Sequence, residues 1–153
     1  MVKLLPMEQT DFEEYLEQDI QKYAQENVRV GNWKPSEALE KSRQEHEQLL
    51  PNGLASKNQH LFTIVDEGTG AKLGILWVNI EDSHAFIYDF IIDESLRGKG
   101  YSKQALMALD EKLKSMNVES VGLHVFGDNV IAQELYTKMG FQITGIHMKK
   151  NLK

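Results

Sequence analysis

Ile91-Ile92-Asp93-Glu94-Ser95-Leu96-Arg97-Gly98-Lys99-Gly100-Tyr101-Ser102 runs from an apolar strand through a glycine-rich turn into a helix. Gly98 and Gly100 let the backbone turn tightly and approach a ligand with no side chain in the way. Such a turn opening a helix leaves backbone N–H groups without intrahelical partners, so it cradles an anion, most often a phosphate or pyrophosphate. Arg97 and Lys99 add positive charge. The turn lacks the Gly-Lys-Ser/Thr ending of a magnesium-holding phosphate loop and the three-glycine dinucleotide pattern, which sets kinase and dehydrogenase readings aside. The competing reading is a glycine-rich surface turn with incidental basic residues.

Upstream of the turn, Ala85 to Ile92 reads as a strand with Phe86, Tyr88, Phe90 and Ile92 on one side and Ile87 and Ile91 on the other. Apolar residues on both faces place it in the middle of a sheet covered by helices. On this alternation Tyr88 and Asp89 point to opposite faces. Downstream, Leu106, Leu109, Leu113 and Met116 recur at steps of three and four and mark a helix. Farther out, the spacing predicts a strand over 2–5 and a helix over 11–27 opened by a Thr10/Glu13 capping box. A second helix runs from Pro35 to the stop at Pro51-Asn52-Gly53. Strands over 61–65 and 73–80 flank a glycine-bearing hairpin loop at 66–70. A strand over 119–125, a helix over 129–139 and a last strand over 142–148 complete the chain. The order implies one α/β domain over 1–153, with a mixed sheet and helices on both faces.

The 153 residues hold 41% hydrophobic and 26% charged side chains, the composition of an ordinary globular protein. No cysteine is present, so disulfides, thiolate metal ligands and a cysteine nucleophile are excluded together. No metal is expected. The start, Met1 to Pro6, is too short an apolar run for a signal peptide, and no run approaches a membrane span, so a cytoplasmic protein without a membrane partner is expected. A net charge of -6 argues against nucleic acid as a partner. Residues 1–50 carry eleven acids against six bases. That excess either faces a cationic partner or forms the solvated sides of two amphipathic helices.

The second informative segment is Asn129-Val130-Ile131-Ala132-Gln133-Glu134-Leu135-Tyr136-Thr137-Lys138-Met139-Gly140-Phe141. It reads as a helix with an asparagine N-cap and a glycine stop. Ile131, Leu135 and Met139 form its core stripe, and Ala132 and Tyr136 lie one turn apart on an adjacent face. The two segments together resemble the GCN5-related N-acetyltransferase (GNAT) family. That family's phosphate-binding signature is arginine or glutamine, two residues, glycine, one residue, then glycine or alanine. Arg97 and Gly100 match it, and Ser102 departs from it at the last position. Asn129, Ala132, Tyr136, Gly140 and Phe141 match the family's second pattern, and the resemblance spans essentially residues 2–150.

The resemblance implies a mostly antiparallel sheet with a splayed central strand pair, and transfer of an acetyl group from acetyl-CoA to an amine of a small molecule or peptide. By resemblance, backbone groups of Phe90, Ile91 and Ile92 hold pantetheine, Arg97, Gly98, Lys99, Gly100, Tyr101 and Ser102 hold pyrophosphate, and Asn129 meets the pantetheine region from across the groove. The backbone N–H of Ile92 serves as an oxyanion donor, and Tyr136 is the acid for the departing thiolate. Tyrosine's ordinary pKa of about 10 keeps it protonated at neutral pH. Asp89, a carboxylate at an otherwise apolar strand position, is the candidate base, with a plain structural hydrogen bond as its other reading. Glu17, Glu26, His84 and His124 are further candidates. Trp33 either walls the acceptor pocket or packs the helix junction. A non-catalytic acyl-CoA-binding sensor or interaction module is the alternative of a different class, and a generic phosphate-binding protein the third. The open edge of the last strand either pairs across a homodimer or is protected by Lys149, Lys150 and Lys153.

Overall fold

A computed structural model describes residues 1–152. Five strands form one sheet in the order β1 (Val2–Pro6), β2 (Gln59–Asp66), β3 (Lys72–Glu81), β4 (His84–Ile92) and β5 (Ser120–Leu123). Neighbours are antiparallel except β4 and β5, which run parallel. The helices are α1 (Gln9–Arg29), α2 (Ala38–Leu49), α3 (Tyr101–Ser115) and α4 (Val130–Lys138). The α/β class, the single mixed sheet and the element order from β1 to α4 follow the expectation.

Alternation along β2 shows how the sheet separates two cores. Phe62 and Ile64 face α3 and join Leu76, Val78, Ile87, Leu106, Leu109 and Leu113. Leu61 faces the other way and packs with Phe12 and Tyr15 of α1, Leu50 and Trp77. Leu109 is 1% exposed, and its truncation to alanine costs about 2–5 kcal/mol by the lost transfer energy and the cavity left behind. The β2–β3 connection is held by Asp66, whose Oδ1 accepts from the Gly68 and Thr69 N–H groups at 2.8 and 3.1 Å. Among the described residues no helix is long and apolar enough to cross a membrane.

Four local readings change. Thr10 lies inside α1, whose N-cap is Glu8 with no side-chain capping bond, because apolar packing of Phe12 draws the helix start back past the capping-box position. Met116 follows the last turn of α3 and is 42% exposed, since the stripe loses its phase where the helix stops. Ile131 is 83% exposed in the first turn of α4, while Leu135 and Met139 pack against the α3-side core. The segment expected to be a last strand over 142–148 takes no place in the sheet: among the described residues it pairs with no strand. A strand exists only as part of a ladder, and β5, the last strand of the sheet, stays unpaired on its outer side. Lys153 lies outside the described residues.

Candidate active site

A cleft of about 380 Å³ opens between α1 and α2 on one side and β4, the end of β5 and α4 on the other. Its floor is made by an irregularity in β4. The β3–β4 register runs evenly to Val78↔Ile87 and then resumes at Trp77↔Asp89, so Tyr88 is an extra residue. Such a bulge puts two successive side chains where regular alternation allows one. Tyr88 and Asp89 therefore both line the cleft, contrary to the expectation that they face opposite ways. Beyond the bulge Phe90 and Ile92 join the α3-side core that Ala85 and Ile87 occupy before it, so the alternation changes phase. Trp77 supports Tyr88 at 5.0 Å between ring centroids, and Phe86 flanks it at 5.1 Å.

Behind Asp89 lies a chain of buried polar groups. Tyr15 donates its hydroxyl to Asp89 Oδ2 at 2.6 Å, the Phe90 N–H donates to Oδ1 at 3.0 Å, and Lys22 Nζ sits 3.7 Å from Oδ1. Asp19 Oδ2 meets His46 Nε2 at 2.8 Å, and His46 Nδ1 meets the Ser42 carbonyl at 2.8 Å. A carbonyl only accepts, so Nδ1 carries a proton. An ionised Asp19 requires a second proton on Nε2, which makes His46 an imidazolium. Burial works against that charge, yet the bonds to Asp19 and the Ser42 carbonyl outweigh it and raise the His46 pKa. Burial also opposes the charge on Asp19, but hydrogen bonds from His46 and Asp89 hold its carboxyl below the usual value. For Asp89, burial and then repulsion from Asp19 push the pKa up to about 7 against the pull of Lys22 and Tyr15. Of two neighbouring carboxylates, Asp19 keeps the charge and Asp89 holds the proton until near neutrality.

Tyr136 reaches the same cleft from α4. Burial, reinforced by the charge of Asp89, lifts its pKa to about 12, and its ring rests edge-on against Phe141 at 5.5 Å. The helix begins where expected because Asn129 Oδ1 accepts the Ala132 N–H at 3.1 Å. That bond commits the side-chain oxygen of Asn129 to capping, at the rim of the cleft.

The glycine turn lies at the other end of β4. Gly98 and Gly100 have φ of 79° and 83°, left-handed values that a Cβ disfavours, and nothing lies within 4 Å of where one would stand. Gly100 is the N-cap of α3 without any side-chain cap, so the N–H groups of the first turn, Ser102 included, point outward free of helical partners. The Arg97 side chain folds back, its Nε donating to the Ile92 carbonyl at 3.1 Å, which leaves the Nη groups beside the free backbone N–H groups of the turn. β4 and β5 pair only from His84↔Ser120 to Ile87↔Leu123 and part beyond it. Phe90, Ile91 and Ile92 keep β3 on one side, where Gly74 allows the close approach that a Cβ would block by overlapping the Ile91 carbonyl. Their β5-facing side is open. An extended arm along 90–92 with a pyrophosphate on the turn fits these groups.

The remaining candidates separate by position. Glu26 and His124 line the cleft. Glu17 pairs with Arg43 at 3.0 Å on the outer surface, and His84 bonds Ser120 at 2.6 Å where β5 begins. Trp33 packs edge-on against Tyr23 at 5.4 Å, at the helix junction. Sequence reasoning missed Tyr15, Asp19, Lys22, His46 and Trp77. A signal existed for His46: Ala38, Ser42 and His46, four apart, form the buried stripe of α2, and a histidine on a buried stripe needs partners.

The profile of the acetyltransferase (GNAT) family matches residues 13–141. Over 99% of both chains the sequence is 41% identical to YycN of Bacillus subtilis, an uncharacterized N-acetyltransferase, and it is 39% identical to YdgE of the same organism over 95% of each. The chain belongs to the GNAT family of acetyltransferases. The crystal structure of YycN superposes with a TM-score of 0.95, covering 100% of this chain and 99% of that one.

Proposed function

We propose that this protein transfers an acetyl group from acetyl-CoA to an amine bound in the cleft, with Asp89 accepting the amine proton and Tyr136 protonating the departing sulfur. The observation that carries the reading is the pair itself: two titratable groups in one cleft, with pKa values of about 7 and about 12. Environments that push two groups apart in this way assign a base and an acid. Bound acetyl-CoA supplies the activated acetyl group and leaves as its thiol. Backbone N–H groups of Gly98 to Ser102 and the open side of Phe90 to Ile92 are the groups proposed to hold it, with Asn129 at the opposite rim.

Asp89 takes the amine proton on a carboxylate whose Oδ2 accepts from Tyr15 and whose Oδ1 accepts the Phe90 N–H beside Lys22. The Tyr15 bond and the Phe90 N–H fix the carboxylate in place, which keeps the distance to the attacking nitrogen short. Tyr136 presents its hydroxyl proton from a rigid ring, and a high pKa keeps that proton in place until charge develops on the leaving group. Asp19, Glu26, Glu45 and Asp89 line the cleft against Lys22 and His46, a balance that favours an acceptor that is positively charged before it loses its proton.

Tyr136→Phe tests the acid assignment. It is expected to lower kcat about 10²-fold or more with little change in acetyl-CoA Kd. Unchanged kcat removes Tyr136 from that role. Tight acetyl-CoA binding without acceptor-dependent thiol release, across a broad panel of amines, favours the non-catalytic binding module instead.

A further inference from the structure

Lys22 stands where a substrate amine must come. Its Nζ lies 3.7 Å from Asp89 Oδ1, too far for a hydrogen bond, and its side chain is 47% exposed at the cleft. Among the described residues it is the one lysine on the cleft wall. The other contacts of the Asp89 carboxylate are shorter: the Tyr15 hydroxyl on Oδ2 at 2.6 Å and the Phe90 N–H on Oδ1 at 3.0 Å. Lys22 is the loosest of these partners, held by charge alone and screened by solvent.

One turn along α1 stands Glu26, half-buried on the wall of the same cleft. Acid and base four residues apart on a helix ordinarily pair, although the lysine-first order is the weaker one. Here both cations in reach of Glu26 are engaged elsewhere, Lys22 on Asp89 across the cleft and Arg29 on Asp128 at 2.7 Å. Among the described residues no ion-pair partner lies within 4 Å of the Glu26 carboxylate. Burial raises its pKa, against the pull of Lys22 and Arg29. One mobile ammonium thus has two carboxylates to choose between, and it leaves the nearer in sequence without a partner.

We infer that Lys22 is a specificity-determining residue of the proposed transfer: its ammonium stands in for the acceptor's at Asp89 and swings to Glu26 when a cationic acceptor binds. The inference rests on the reading that an amine binds in this cleft. An incoming ammonium takes the place at Asp89 while Lys22 finds an opposite charge at Glu26, so every charge keeps a partner. A neutral molecule that displaces Lys22 strips Asp89 of its cation and returns none. The tethered lysine therefore discriminates against uncharged ligands as well as making room for charged ones.

Binding of n-butylammonium to the full chain without acetyl-CoA tests this, at about pH 9, where Asp89 is ionised and the probe keeps its charge. Lys22→Met should tighten the Kd about threefold or more, because the tethered competitor is gone. Glu26→Gln should weaken it about threefold in the parent and clearly less in the Lys22→Met background, where no displaced ammonium needs a carboxylate. In the unaltered protein the ¹³C carboxyl signal of Glu26 should move as the probe saturates, which covers the case in which a variant misfolds. Binding that is unchanged or weaker in Lys22→Met overturns the inference. So does an equal Glu26→Gln loss in both backgrounds, which makes Glu26 a direct contact of the probe, and so does a Glu26 signal that stays still at saturation. Amine-dependent thiol release measured on the unaltered protein separates the two readings: if it persists while Lys22→Met binds the probe no tighter, the transfer stands and the role of Lys22 falls.

Discussion

Between α1, α2 and β4 the molecule buries Asp19, Ser42 and His46 and most of Asp89, whereas its C-terminal end leaves Ile143, Ile146 and Met148 in solvent. Each region reverses the ordinary placement of its residue types. In the first, every buried polar group has a partner: Ser42 Oγ on the Ile20 carbonyl at 2.6 Å, His46 on Asp19, Tyr15 on Asp89. The cost of desolvation is met inside the chain, and what remains is a carboxylate poised near neutral pH. In the second, the apolar side chains are exposed and, among the described residues, the backbone joins no ladder. Buried polarity marks the proposed chemistry.

Substituting the centre of the polar region should produce the largest effect. Asp89→Asn is expected to lower kcat about 10²- to 10⁴-fold with acetyl-CoA binding retained. Its stability should move the opposite way. Folding raises the Asp89 pKa from an ordinary value of about 4 to about 7, so the stability the folded state gains from holding that proton is full below pH 4 and is lost as pH rises through 7. Thermal melting should therefore show the variant gaining on the parent between pH 5 and pH 8. An unchanged rate would reduce Asp89 to a structural hydrogen-bond partner.

Asp19→Asn addresses the coupling behind that carboxylate. Removing the neighbouring negative charge should lower the Asp89 pKa, so the limb of kcat/KM that rises through about pH 7 moves to lower pH. A limb that stays in place would show that burial alone sets the value. The smallest effect belongs to the exposed region. Ile143→Ser, at a side chain that is 79% exposed, should leave the unfolding free energy within about 0.5 kcal/mol of the parent. A larger loss would mean that Ile143 is buried against its own domain.

Much of this was legible along the chain. The glycine turn opening α3, the Asn129 cap and the placement of Tyr136 one turn beyond Ala132 depend on neighbours three or four residues apart, and local sequence specifies such features. The five strands of the sheet were recognisable from their apolar runs for the same reason. The bulge was not, because an extra residue in β4 is defined only against the register of β3. Nor was the meeting of Asp19, His46 and Asp89, which joins α1, α2 and β4 across 27 and more residues.

The sequence by itself determined the cofactor-side features, a strand, a left-handed glycine turn and a helix start, because backbone geometry at Gly98 and Gly100 is a property of the residues present. Only the tertiary structure decided that Tyr88 and Asp89 share one cleft and that Asp89 sits beside a second carboxylate. It alone showed the final segment without a ladder in its own chain. Pairing, burial and charge coupling are relations between distant parts, and their energies exist only once those parts are brought into contact.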